Sequence, residues 1–181
     1  MYPWFRVFKA LVTKRPPLES IWETSELNMR IWPTDLDVMG EANNGRFLTL
    51  MDFGRFDLYF RMSSVRAAVS RNKWGAVVAG SSVRYRKRMF MFQKFTLYTR
   101  LLAADERWLY LGQSIERGDT IHVGGLVRVA VTDKNGSVPI ARVAEEAGIE
   151  INQFVPDWIK SWDLSDQARP WVSMPDLNNT E

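Results

Sequence analysis

Trp32 to Arg61 reads WPTDLDVMGEANNGRFLTLMDFGRFDLYFR, and its two halves ask for different things. The first half is a turn-rich acidic loop, Pro33-Thr34-Asp35-Leu36-Asp37-Val38-Met39-Gly40. The second is an apolar run of Phe47, Leu48, Leu50, Met51, Phe53, Phe56, Leu58, Tyr59 and Phe60, led in by Asn43 and Asn44. Either asparagine suits a helix N-terminus, because its side chain accepts a bond from a backbone N–H that the first turn leaves unpaired. At about 100° per residue the apolar side chains occupy nearly the whole circumference of such a helix. A helix apolar all round is normally buried on most sides. Its charges are spaced to pair along its length, Asp52 with Arg55 and Asp57 with Arg61. The stretch therefore predicts a central helix from about Asn44 to Arg61, wrapped by other elements, with a carboxylate-bearing loop at its positive end.

The flanking chain supplies the wrapping. Ser25 to Trp32 alternates Leu27, Met29 and Ile31 with polar residues and reads as a strand; Val65 to Asn72 reads as a second short helix. Beyond Trp74 the period becomes two: Val83, Tyr85, Lys87 and Met89 alternate with Arg84, Arg86 and Arg88, as in one long strand with a bulge at Gly80. Lys94 to Ala104, Arg107 to Glu116 and Thr120 to Thr132 follow as strands, the last two joined by a tight Gly118-Asp119 hairpin. Ile121, Val123, Val127, Val129 and Val131 fall on one face of the last strand, with His122 and Arg128 on the other. Asp133 to Gly136 is a turn; Ala141 to Ala147 and Pro156 to Trp162 are helical pieces, and the tail from Asp163 is irregular. Five antiparallel strands with one apolar face can curl around one helix, an α+β architecture that satisfies the burial demanded above.

Composition narrows the function. The 181 residues, 46% hydrophobic and 25% charged, make one soluble domain, and a net charge of +3 fits an anionic ligand without arguing for nucleic acid. Without cysteine there is no disulfide and no thiol nucleophile. The single histidine, His122, has no carboxylate at motif spacing and reads as structural. No segment approaches the roughly 18 apolar residues of a membrane span. The aromatic-rich start, residues 1–24, reads as an arm in which Tyr2 to Val12 packs on protein; a lipid anchor is the alternative reading, weakened by Arg6 and Lys9.

Asp35-Leu36-Asp37-Val38-Met39-Gly40-Glu41-Ala42-Asn43-Asn44 resembles the D-x-D-x-x-G-H-x-N-N signature of hotdog-fold acyl-CoA thioesterases. These are relatives of 4-hydroxybenzoyl-CoA thioesterase, in the branch that includes thioesterase superfamily member six. Asp105 to Tyr110 is similar to that branch as well. The resemblance covers about residues 25–150, leaving 151–181 as a C-terminal helix and tail. It implies a five-stranded hotdog sheet around the helix, a homodimer or dimer of dimers with sites between subunits, and hydrolysis of acyl-CoA in the cytoplasm with neither metal nor bound cofactor. Asp37 matches the catalytic carboxylate, as nucleophile or general base, and the backbone N–H near Asn44 matches the donor that polarises the thioester carbonyl. Asn43 and Asn44 read as caps that aim such donors.

The chain departs from the signature at Glu41, which stands where the family has histidine. A second carboxylate beside Asp37 raises one pKa by repulsion and makes a better base, or it marks a site without catalysis. The alternative function is thus a non-catalytic hotdog protein that binds acyl groups or a protein partner. Arg84, Arg86 and Arg88 suit the phosphates of CoA, since guanidinium forks match phosphate, or form a solvated strand face. Arg128 is a fainter candidate for the same work. Asp52 is a minor catalytic candidate, because some hotdog branches use a helix carboxylate; pairing with Arg55 is its plainer role.

Overall fold

The computed structural model describes residues 15–171, so the aromatic segment Tyr2 to Val12 lies outside the described residues. Strand β1 (Ser25–Arg30) leads through a single 3-10 turn at Pro33–Asp35 into helix α1 (Asn44–Arg61), then α2 (Ser63–Asn72). Strands β2 (Gly75–Tyr85), β3 (Lys94–Ala104), β4 (Trp108–Arg117) and β5 (Thr120–Asp133) follow, with a two-residue β6 (Gly136–Ser137) beside β5. Helices α3 (Ile140–Ala147) and α4 (Asp157–Ala168) end the described chain. The sheet is antiparallel throughout, in the order β1-β3-β4-β5-β2, so β1 and β2 are its edges. This is the hotdog arrangement expected from the sequence.

The main core lies between α1 and the sheet: Phe47, Leu50, Met51 and Phe53 of the helix meet Phe95, Leu97, Ile115 and Val123. The closest approach is at Gly54. A Cβ there would stand 2.2 Å from Thr99 Oγ1 and 3.0 Å from Gln113 Nε2, so only glycine lets the helix seat this deeply. Around that point Gln113 donates to Met51 O and Thr99 Oγ1, both at 2.8 Å, and accepts from Arg55 at 2.7 Å. Asp57 is buried where α1 ends. It accepts from Ser25 Oγ at 2.5 Å and Arg15 at 2.6 Å, with Arg61 3.6 Å away, as the i, i+4 spacing required.

Enclosure is nevertheless one-sided. On the face of α1 away from the sheet, Leu48, Phe56 and Phe60 are 36%, 43% and 38% exposed. A single five-stranded sheet curls around one side of a helix and leaves the other to a further layer, so all-round burial within one chain is corrected to burial on the sheet side.

Three other expectations change. The strand expected to run to Met89 stops at Tyr85, because His122 O accepts from both Arg86 and Lys87 and the chain turns off the sheet. On β5 the pairing slips between Ile115↔Val123 and Glu116↔Ile121, a bulge that turns Ile121 away from the face of Val123 and leaves it exposed. The last helical piece, expected to end at Trp162, runs as α4 to Ala168 and lies across the face of β5 that carries Arg128, burying Tyr110, Leu126 and Ile159 together.

Candidate active site

The acidic loop closes as a hairpin set against the start of α1. Leu36 bridges to Ala42, Asp37 N donates to Glu41 O at 2.8 Å, and Gly40 takes the left-handed φ of +77° that the reversal needs. Asp35 is the anchor beneath it. Its carbonyl accepts from Asn43 N at 2.8 Å; its buried carboxylate accepts from Trp32 N at 2.8 Å and lies 3.4 Å from Arg46 Nε. The hairpin is thereby tied both to β1's exit and to the helix.

Asn43, rather than Asn44, is the cap: its Oδ1 accepts from Arg46 N at 3.2 Å. That leaves the amides of Asn44 and Gly45 with no acceptor among the described residues, at the end of an 18-residue helix. Free first-turn N–H groups and the helix dipole make such a terminus a donor site for negative charge. Asp37, the partner of Glu41 across the turn, is half-buried, and its Oδ1 accepts from Met39 N at 2.9 Å and Glu41 N at 3.3 Å. Its Oδ2 has no hydrogen bond among the described residues. Asp37 therefore shapes the turn with one oxygen and presents the other.

Glu41 lies beside Asp37 along the hairpin, but its carboxylate is taken by Arg88 NH1 at 2.9 Å. The segment carrying Arg88 runs against the hairpin, with Ala42 N donating to Met89 O at 2.8 Å and Glu41 bridging to Phe90. Tyr85, at the end of β2, donates to Asn44 O at 3.1 Å and sets its ring 6.0 Å from that of Phe47. So Asp37, Glu41, Asn43, Asn44 and Arg88 gather at one end of α1. Arg84 and Arg86 are exposed on the neighbouring strand end and connection, not on one strand face, because the strand has already stopped.

The remaining candidates are engaged elsewhere. His122 is buried, with Nδ1 3.1 Å from Arg88 O. Asp52 pairs with Arg55 along the helix. Arg128 is buried under α4, ion-paired with Asp163 and Asp166 and stacked on Trp108 and Trp162, so it is not available to a phosphate. Sequence reasoning passed over Asp35 and Tyr85. Asp35 looked like any loop carboxylate, and Tyr85 like any strand residue; a three-dimensional neighbour, not a local pattern, distinguishes them.

Residues 31–162, more than half of the chain, match the family model described as Thioesterase-like superfamily. Protein THEM6 of Drosophila melanogaster is 28% identical over 176 residues, covering 97% of this chain and 84% of that protein. The chain spans about half the length of two other curated relatives it matches, the Protein THEM6 of Xenopus laevis (55%) and of Danio rerio (48%). Among solved structures, YbaW, a probable thioesterase from Escherichia coli, superposes with a TM-score of 0.62 at 20% identity, over 67% of this chain and 94% of that one. A DHNA-CoA thioesterase from Staphylococcus aureus does so with a TM-score of 0.56 at 15% identity, over 80% and 91%. At these identities the likeness to solved structures is one of fold.

Proposed function

This chain belongs to the thioesterase-like superfamily, and we propose that it hydrolyses an acyl-CoA thioester to the free acid and CoA. Thioester hydrolysis in general is what membership supports; the CoA moiety is read from Arg84 and Arg86, exposed beside the start of α1, and from the CoA ester named for the Staphylococcus aureus enzyme. The observation that carries the proposal is the pairing of a half-free carboxylate, Asp37, with the unpaired amides of Asn44 and Gly45 on one anchored hairpin–helix junction.

In this reading the carbonyl oxygen of the thioester accepts from the Asn44 and Gly45 amides, which favour the negative charge that develops there. Asp37 Oδ2 either attacks the carbonyl carbon, giving an anhydride that water opens, or takes a proton from the water that attacks. The C–S bond breaks, the thiolate of CoA leaves and is protonated, and the acid is released. Each of these two contributions is typically worth about 10²–10³ in rate. Glu41 acts as a brace held by Arg88, and Asn43 as the cap that aims the donors.

A homodimer belongs to the same proposal. The edge strand β2 presents Val77 and Val78, each about half exposed, and α1 presents Leu48, Phe56 and Phe60. A second copy paired along β2 extends the sheet and supplies the missing cover. Light scattering should return a mass near twice the 21.0 kDa chain. The function itself is tested by thiol release from short, medium, long and aromatic acyl-CoAs: turnover of at least one is expected. One observation favours the non-catalytic reading, namely that Asp37 Oδ1 and Glu41 are both already engaged. Binding of the esters without turnover of any would establish it.

A further inference from the structure

The turn between β2 and β3 presents Phe90, Met91 and Phe92, and all three are 44–49% exposed. Phe92 has a φ of +64°, a left-handed conformation that is rare for a bulky residue and costs free energy to hold. It is held all the same: Phe92 N donates to Ile31 O at 2.8 Å, Ile31 N to Gln93 O at 3.0 Å, and Phe90 N to Gln93 Oε1 at 3.0 Å. Trp32, 46% exposed, stands edge-on to Phe92 with ring centroids 6.1 Å apart. The result is a rigid tip of two phenylalanines, a methionine and a tryptophan facing water.

The surroundings are cationic. Arg86, Lys87 and Arg88 precede the tip and Lys94 follows it, all exposed, and no Asp or Glu occurs between Asp57 and Asp105. The acidic groups packed nearby are Asp35, buried against Arg46, Glu41, matched by Arg88, and Asp37. Arg86, Lys87 and Lys94 therefore carry a net positive collar.

We propose that this tip docks on an anionic lipid bilayer, with Trp32, Phe90, Met91 and Phe92 entering the headgroup–acyl boundary and Lys87 and Lys94 meeting lipid phosphates. Tryptophan and phenylalanine partition to that boundary, and basic residues beside them add attraction to anionic lipid. A second copy is the less fitting occupant, since two such cationic collars repel. The inference is independent of any turnover at Asp37.

Pelleting of the full chain with lipid vesicles tests it. The chain should sediment with phosphatidylcholine vesicles containing about a third phosphatidylserine and much less with phosphatidylcholine alone. The double variant Phe90→Ser/Phe92→Gly, in which glycine accepts the positive φ, should lower the bound fraction by about tenfold or more while keeping its circular dichroism. Lys87→Glu/Lys94→Glu should lose anionic binding equally, and it carries the test if the aromatic variant fails to fold. Wild-type protein left in the supernatant, or variants that pellet as well as wild type, would overturn the proposal. So would light scattering in which the tip variants lose a self-association that the wild type has, without any vesicle binding.

Discussion

Arg88 donates to the carboxylate of Glu41 at 2.9 Å, a bond between residues 47 apart in the chain that ties the acidic hairpin to the segment leaving β2. Glu41 is thus a brace, turned toward a guanidinium rather than left as a second free carboxylate beside Asp37. Because Arg88 is largely exposed, the pair contributes little stability, about 0–1 kcal/mol. Glu41→Gln should accordingly keep kcat within about threefold of wild type and change the melting temperature little. A loss of kcat of about a hundredfold would make Glu41 itself the base and displace Asp37 from that role.

The seat of α1 on the sheet makes Gly54→Ala a severe change. Its methyl group would collide with Thr99 Oγ1 and press on Gln113, the centre of a buried polar network. Overpacking of this kind costs about 1–3 kcal/mol, and broken bonds at Gln113 add to it. Urea denaturation should show a lower midpoint with an unchanged slope. Wild-type stability would mean that the helix does not approach the strands as closely as stated.

Arg128 joins α4 to the sheet through Asp163 and Asp166, stacked between Trp108 and Trp162. Replacing it with leucine takes the buried partner from both carboxylates and leaves Asp163 only Gln167 and Asp166 only the exposed Arg169. The cost should be about 3 kcal/mol, and limited proteolysis should cut near residues 151–157 sooner than in wild type. An equal rate of cleavage would show that α4 is held by its apolar contacts alone.

Tyr110 supplies a pH signature. Burial first, and then the bond its hydroxyl gives to Asp105 at 2.8 Å, hold its phenol above the ordinary 10.0. A folded-state pKa that is raised disfavours the ionised form, so its stabilising contribution is complete below pH 10 and is lost as pH rises beyond it. Tyr110→Phe should destabilise the protein by about 1 kcal/mol at neutral pH, with the gap from wild type narrowing in alkali. Ultraviolet titration of the folded wild type, compared with Tyr110→Phe, should show the difference of one phenol ionising above its ordinary range. Ionisation of that phenol near pH 10 would contradict the buried bond.

How far the sequence could carry the structure depended on the range of each interaction. The Asp52–Arg55 and Asp57–Arg61 pairs, the cap at the head of α1 and the Gly118 reversal are local in sequence, and all are present. The end of β2 at Tyr85 was not legible, because it is decided by His122 O, 36 and 35 residues beyond its donors Arg86 and Lys87. Nor was the exposure of Ile121, set by a bulge against β4, or the length of α4, which is stabilised by Arg128 on a distant strand. At the site the spacing of Asp37, Glu41 and Asn43 placed them on one short loop, so their proximity could be read directly. The partners Tyr85 and Arg88 come from the other side of the fold and could not.

In the proposed reaction the free oxygen of Asp37 performs the chemistry while the amides at Asn44 and Gly45 hold the carbonyl. Asp37→Asn keeps the size of the side chain and an Oδ1 able to accept from Met39 N and Glu41 N, so the hairpin should stand. Steady-state thiol release on the best acyl-CoA substrate, paired with binding of a non-hydrolysable analogue, measures the two contributions separately. The expected result is a fall in kcat of about 10² or more, with analogue affinity within about threefold of wild type. Undiminished kcat in Asp37→Asn would contradict it.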